Sequence, residues 1–279
     1  MPLPAGYSEL PNPSRESRNI EAVWTYLADD EGEHRVLPDG RCDIILRFKV
    51  VGAHPIGAID VAISGPSTTY HMVPFKPDVG FVGVRLRPGM ARIVLGVEPS
   101  SIANRVLRGE AAIAAVPALA ALCKMARTTD DLIDRLTNFV ADRQAGTGNR
   151  AVSTRSLALL DALHVSCGRL SVADLATMHS VDQRTVRRTI TSSTGLGPKE
   201  FSMILQFHRA VRLLRNAGLD PASAAAEAGY ADQAHMTRVF RKLGGFTPAD
   251  MPYVTLGNLP LSMSDLFKTH RFETLNYLL

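Results

Sequence analysis

The chain has 279 residues, 46% of them hydrophobic and 21% charged, with a formal charge of +4. That length holds about two domains of ~100–200 residues, and the composition is that of a folded chain. No apolar run approaches the roughly 18 residues that cross a bilayer. The segment Met1 to Glu9 lacks the basic-then-apolar layout of a signal peptide, so the protein is placed in the cytoplasm with no membrane partner. Its three cysteines, Cys42, Cys123 and Cys167, are odd in number and far apart, which predicts neither a disulfide framework nor a zinc knuckle.

Residues 1–98 are rich in Gly, Pro and β-formers. The runs Cys42 to Phe48, Ile59 to Ile63 and Phe81 to Leu86 read as strands, separated by turns such as Pro38-Asp39-Gly40. Short strands at this spacing predict a small barrel or sandwich. Over 99–145 the period changes. Ile102, Val106, Leu119, Leu122 and Met125, then Leu132, Ile133, Leu136, Phe139 and Val140, recur at three- and four-residue steps, which predicts amphipathic helices. Asp130 and Asp131 suit the positive end of the last of these. Residues 146–153 are small and polar and read as a linker. Helices follow over 154–252. The extension 253–279 carries Leu266, Phe267, Phe272, Leu275, Leu278 and Leu279, too apolar for a free tail, and is expected to dock on something.

One pattern occurs twice in 154–252. Its first copy runs from Leu170 through Val181-Asp182-Gln183-Arg184 to Gly195-Leu196-Gly197-Pro198, its second from Asp220 through Ala231-Asp232-Gln233-Ala234 to Gly245-Phe246-Thr247-Pro248. In the first, Ser171 and Asp174 form a variant capping box. Asp182 caps the next helix, whose buried stripe is Val186 and Ile190. Gln183, Arg184, Arg187 and Arg188 lie on the other side, and arginine bonds guanine O6 and N7 together in the major groove. In the second, Asp232 caps, Met236, Phe240 and Leu243 point inward, and Gln233, His235 and Arg238 are the candidates for base edges. Ser171, Lys199 and Arg241 are the candidates for phosphate. Between the copies, Pro198 opens a helix of ~30 Å, close to one ~34 Å turn of DNA. The window 169–215 holds eight Lys or Arg against three Asp or Glu, a local +5 that a phosphate backbone attracts.

These residues resemble the AraC/XylS family of transcriptional regulators, whose C-terminal module carries two helix-turn-helix units joined by a long helix. The likeness covers about 154–252, and the family's Gly-Phe turn of the second unit stands as Gly229-Tyr230. The chain departs from the family at Ser180, where the first unit's turn has glycine, at Ile190 and Met236, where Phe is frequent, and at Met251-Pro252 after the last signature. His34 to Asp43 and Gly83 to Gly89 resemble, more weakly, the cupin-like sensor domains of one branch of the family. The resemblance implies an effector site in 1–98, a dimerising segment over 99–145 with a homodimer as product, double-stranded DNA as partner, and RNA polymerase as a further partner of an activator.

The fold class is therefore α+β multidomain: a cupin-like β domain with a helical extension, then an all-α tandem helix-turn-helix domain. Trp24, Tyr26, His34, Arg41, Asp43, Tyr70, His71 and Arg85 supply the aromatic and charged groups that a polar organic effector needs. His34, His54 and His71 are about twenty residues apart with no His-x-His, so no metal or cofactor is expected. Hydrolase elbow, P-loop and Rossmann fingerprints are absent, and an enzyme is not expected. The alternatives are a β-domain enzyme recruited to DNA, and an interaction module whose charged face meets an acidic protein. Neither the operator nor the sign of regulation, activation or repression, is legible.

Overall fold

A computed structural model of the chain describes residues 6–10, 19–27, 30–51, 54–55, 59–124, 126, 128–145 and 153–251. The expected linker over 146–153, apart from Ser153 at its end, and the expected docking of the 253–279 extension lie outside the described residues, as does Met125.

The N-terminal domain is built on an antiparallel sheet of β1 (Gly6–Leu10), β2 (Ile20–Leu27), β4 (Cys42–Val51), β5 (His54–Pro55), β6 (Asp60–Ser64), β8 (Val79–Leu86) and β9 (Val106–Arg108), ordered β1-β2-β8-β4-β6-β9 with β5 folded back on β4. A separate ribbon pairs β3 (Gly32–Val36) with β7 (His71–Phe75). The main sheet ends at β1 and β9, which do not pair with each other. The β domain is thus an open sheet with a covering ribbon rather than a closed barrel.

Period-two alternation decides which side of the sheet is dry. Ile44, Leu46, Val61, Ile63, Val82 and Val84 are fully buried on one face, against α1 (Ala91–Leu95) and α3 (Thr129–Ala145). Each such side chain contributes roughly 1.5–3 kcal/mol by leaving water. The other face carries the polar alternates Asp43, Arg47, Asp60 and Arg85, and α7 (Pro198–Asn216) of the second domain lies across it.

The stretch expected to be helical over 99–145 is only partly so. Pro99 and Pro117 each open a 3-10 turn, at Pro99–Ile102 and Pro117–Cys123, and α2 (Glu110–Ala115) is short. Val106, assigned to a helical stripe, sits in β9 on the sheet edge. Only α3 is a long regular helix, with Asp130 and Asp131 in its first turn as expected. Its stripe Leu132, Ile133, Leu136 and Val140 belongs to the same core as the sheet, and its exposed positions include Asp130, Asp134, Asn138 and Asp142.

The C-terminal domain comprises α4 (Thr154–Val165), α5 (Val172–Met178), α6 (Gln183–Thr194), α7, α8 (Pro221–Ala228) and α9 (Gln233–Gly244). Helix starts follow the local chemistry. Ser171 Oγ accepts from Asp174 N–H at 3.1 Å while Asp174 accepts from Ser171 N–H at 2.9 Å. Asp182, Asp220 and Asp232 cap α6, α8 and α9. Hydrogen bonds from Thr185 hold the Asp182 carboxyl below the usual carboxylate range. Pro198 occupies the first turn of α7, where its missing N–H has no helical partner to lose. One core joins both units: Phe201, Phe207 and Val211 of α7 meet Val186, Ile190, Met236, Phe240 and Leu243, and the Phe207 and Phe240 rings are edge-on at 4.9 Å.

Candidate nucleic-acid interface and ligand cavity

The two reading helices are amphipathic in the manner a groove-binding helix needs. On α6, Val186 and Ile190 are fully buried, while Gln183, Arg184, Arg187 and Arg188 are exposed. Arg187 Nη2 donates to Gln183 Oε1 at 3.4 Å, so the two share a face, and no carboxylate among the described residues pairs with Arg184, Arg187 or Arg188. On α9, Met236, Phe240 and Leu243 are buried, and Gln233, Ala234, His235, Arg238 and Arg241 are exposed. His235 is not a free arm, because its ring stands edge-on to Tyr230 at 5.4 Å and 88°. Tyr230 fills the place of the family phenylalanine with its hydroxyl buried and unpartnered.

Lys199 is exposed in the first turn of α7, whose N-terminal Gly197 N–H is held by Glu200 at 3.0 Å. Ser171 is exposed with its oxygen engaged as a cap, leaving its hydroxyl proton free to donate. Ser180 stands at φ +50°, in the left-handed region, while Gly229 occupies the matching turn of the second unit at φ +86°. The substitution noted in the sequence thus places a side chain where the backbone favours glycine.

A second site lies between the domains, a cavity of about 380 Å³. Trp24, Tyr26, His34, Arg41, Asp43, His71 and Arg85 from the sequence-based set all line it, whereas Tyr70 does not and packs instead at Gly245. The floor is the polar face of the sheet. Its indole lies flat because Gly83 is directly opposite Trp24, and a β-carbon there would overlap the ring. Tyr7 stacks on that indole at 5.9 Å.

Beside the aromatic plate runs a buried charge network. Arg41 bonds Glu21 at 3.0 Å and the Asp39 carbonyl at 2.7 Å, and Arg85 meets Asp39 at 3.2 Å, Glu9 at 3.4 Å and Asp43 at 3.6 Å. Burial pushes the Asp43 carboxyl up to about 7, against the pull of Arg85. Burial also lowers His34 and His71 on the wall. The roof is one stripe of α7: Leu205, His208 and Arg212, spaced three and four apart. His208 Nε2 bonds the Pro38 carbonyl at 2.7 Å.

Beyond the sequence-based set, Tyr7, Glu21, Asp39, Arg47, Asp60 and Arg108 and the α7 stripe also line the cavity. The signal for Arg47 and Asp60 was the alternation along β4 and β6, where the parity 43/45/47 and 60/62/64 carries the polar side chains and the other parity carries only apolar ones. The α7 contribution had no local signal, because a helix that also bridges the C-terminal core shows apolar residues on several sides. Among the described residues no three His, Cys, Asp or Glu side chains are grouped to hold a metal, and no helix is long and apolar enough to cross a membrane.

Fold and site define a tandem helix-turn-helix protein whose two reading units hang on one bridging helix beside a β-rich companion domain. A family described as a helix-turn-helix domain matches residues 175–251, and a domain of unknown function (DUF6597) matches 13–108. Residues 175–251 thus match a helix-turn-helix family, as the paired caps and closing glycines lead one to expect. Similar solved structures include the DNA-binding domain of AdpA in complex with a target DNA (22% identity, 35% of this chain and 88% of that one, TM-score 0.33). The C-terminal domain of AraT, a response regulator from Geobacillus stearothermophilus, is similar at 20% identity over 35% of this chain and 82% of that one, TM-score 0.33. ToxT from Vibrio cholerae is similar at 10% identity over 88% of this chain and 97% of that one, TM-score 0.42. No curated protein matches the chain.

Proposed function

We propose that this protein is a sequence-specific DNA-binding transcriptional regulator that inserts α6 and α9 into successive major grooves and responds to a small molecule held in the interdomain cavity. The observation that carries the reading is the pair of capped helices with open polar faces, set on one continuous helix. With 19 residues, α7 spans ~28 Å, close to the ~34 Å turn of the duplex. On this reading the partners are double-stranded DNA, a small-molecule effector, a second copy of the chain and, for an activator, RNA polymerase. The α6 face, with three arginines, reads more stringently than the α9 face. Salt-dependent retardation of genomic DNA fragments by the full chain tests it. Retention that falls as salt rises, and that is lost when Arg184, Arg187 and Arg188 are all changed to Ala, is the expected result. Retention of an acidic protein partner but no DNA would assign the charged face to protein interaction instead.

A further inference from the structure

An α-helix leaves its last four carbonyls without helical partners. In both reading helices some of these carbonyls are capped from the other domain. At the end of α6, Gly89 N–H donates to the Ser193 carbonyl at 2.9 Å. At the end of α9, Thr69 Oγ1 donates to the Lys242 carbonyl at 2.9 Å and Arg35 Nη1 to the Gly244 carbonyl at 3.1 Å. A cation at a helix C-terminus is also favoured by the helix dipole.

The two closing glycines make the same approach. Gly195 and Gly245 are left-handed caps at φ +75° and +72°. A β-carbon on Gly195 would stand 2.6 Å from the Pro99 carbonyl carbon, and one on Gly245 would overlap the Tyr70 ring. These glycines serve an interface as well as a turn. The two grips differ in kind, however. At α6 the hydrogen-bond donor is a backbone amide, and Gly89 does not line the cavity. At α9 the donors are side chains of the β3–β7 ribbon and the turn before it. Arg35 is itself a cavity-lining residue, clasped between Tyr70 at 5.0 Å and Phe246 at 5.7 Å with its Nε buried and unpartnered. His34 and His71, next to Arg35 and Tyr70 in sequence, line the cavity too.

We infer that Arg35, Thr69 and Tyr70 are positioning residues for the second reading helix, and that the β3–β7 ribbon makes α9 the regulated half of the DNA reader. This rests on the DNA-reading function proposed above. The ribbon walls the cavity and, through the Arg35 side chain, also caps a reading helix. A ligand that moves it therefore changes how α9 is held, while α6 keeps its backbone cap.

The test is enrichment of duplexes from a random library by the full chain. Arg184→Ala and Arg238→Ala first assign which base positions α6 and α9 read. The double variant Thr69→Val with Tyr70→Ala is expected to lose base preference about tenfold at the α9 positions and to keep it at the α6 positions. Thr69→Val alone, nearly isosteric and therefore safe for folding, gives a smaller loss at the same positions. Preference unchanged in both variants, or lost equally at α6 and α9 positions, overturns the inference. Failure of the unmodified chain to enrich any sequence overturns the DNA-reading function itself.

Discussion

Ser180 and His164 show how single residues are held against their preferences. Ser180 sits at φ +50° between α5 and α6, where an L-residue is disfavoured by roughly 1–2 kcal/mol. Part of that cost is returned when glycine loosens the unfolded chain. Ser180→Gly is accordingly expected to raise stability by ~0.5–1 kcal/mol, read as a higher melting temperature with unchanged α6 base preference. His164 is buried, its Nδ1 bonded to the Leu160 carbonyl at 2.8 Å and its ring edge-on to Phe201 at 5.2 Å. Burial, with Arg41 nearby, pushes its pKa down to about 3 from an ordinary 6.5. In that window the unfolded chain takes up a proton that the native state refuses, so stability present above pH 6.5 is lost on acidification. One such histidine steepens the loss by ~1.4 kcal/mol per pH unit. Denaturant midpoints at pH 7, 6 and 5 are expected to fall for the wild type and to fall less for His164→Leu. Because His208, lowered in the same sense, remains in the variant, part of the slope persists.

At the scale of elements, legibility followed how local the determining interactions are. The caps of α5, α6 and α9 are set by residues three apart, so the reading helices were legible almost to the residue. The strands β4, β6 and β8 were readable because one face of each is dry. β2, though apolar, escaped notice because Glu21 and Thr25 blur its pattern, and β9 because three residues carry no period. The helical reading of 99–128 failed at its prolines, which open 3-10 turns in a stretch whose apolar residues are claimed by the sheet. The cavity was half legible, since its aromatic and charged floor comes from strands but its roof comes from a helix over a hundred residues away. Gly83 connects strand geometry to that cavity. Gly83→Ala pushes the indole of Trp24 off the floor, costing ~1–3 kcal/mol by overpacking. Trp24 is the single tryptophan, so a red-shifted emission from the folded variant reports the displacement directly.

At the scale of the whole molecule, the cluster of positive charge over 169–215 divides into two populations. Arg209 pairs with Glu227 at 3.5 Å, Arg169 bonds the Ser166 carbonyl at 3.1 Å, and Arg215 has a partner too. Arg212 faces Cys167 at 4.0 Å and roofs the cavity. Arg184, Arg187, Arg188 and Lys199 stand exposed on α6 and in the first turn of α7, with Arg169 exposed ahead of α5. The electrostatic footprint is therefore narrower than the sequence window suggests, and its members have separable tasks. Each phosphate neutralised contributes ~0.9 to the slope of log K against log salt. Lys199→Ala is expected to lower that slope by ~1 and to weaken every sequence alike, as a phosphate contact does. Arg184→Ala or Arg188→Ala is expected to cost ~1–3 kcal/mol at one or two base positions. Retardation titrations at several salt concentrations, on the selected operator and on a scrambled duplex, resolve the two. A Lys199 variant that loses only the operator, with its salt slope intact, would move that lysine from the phosphate to the base-reading set.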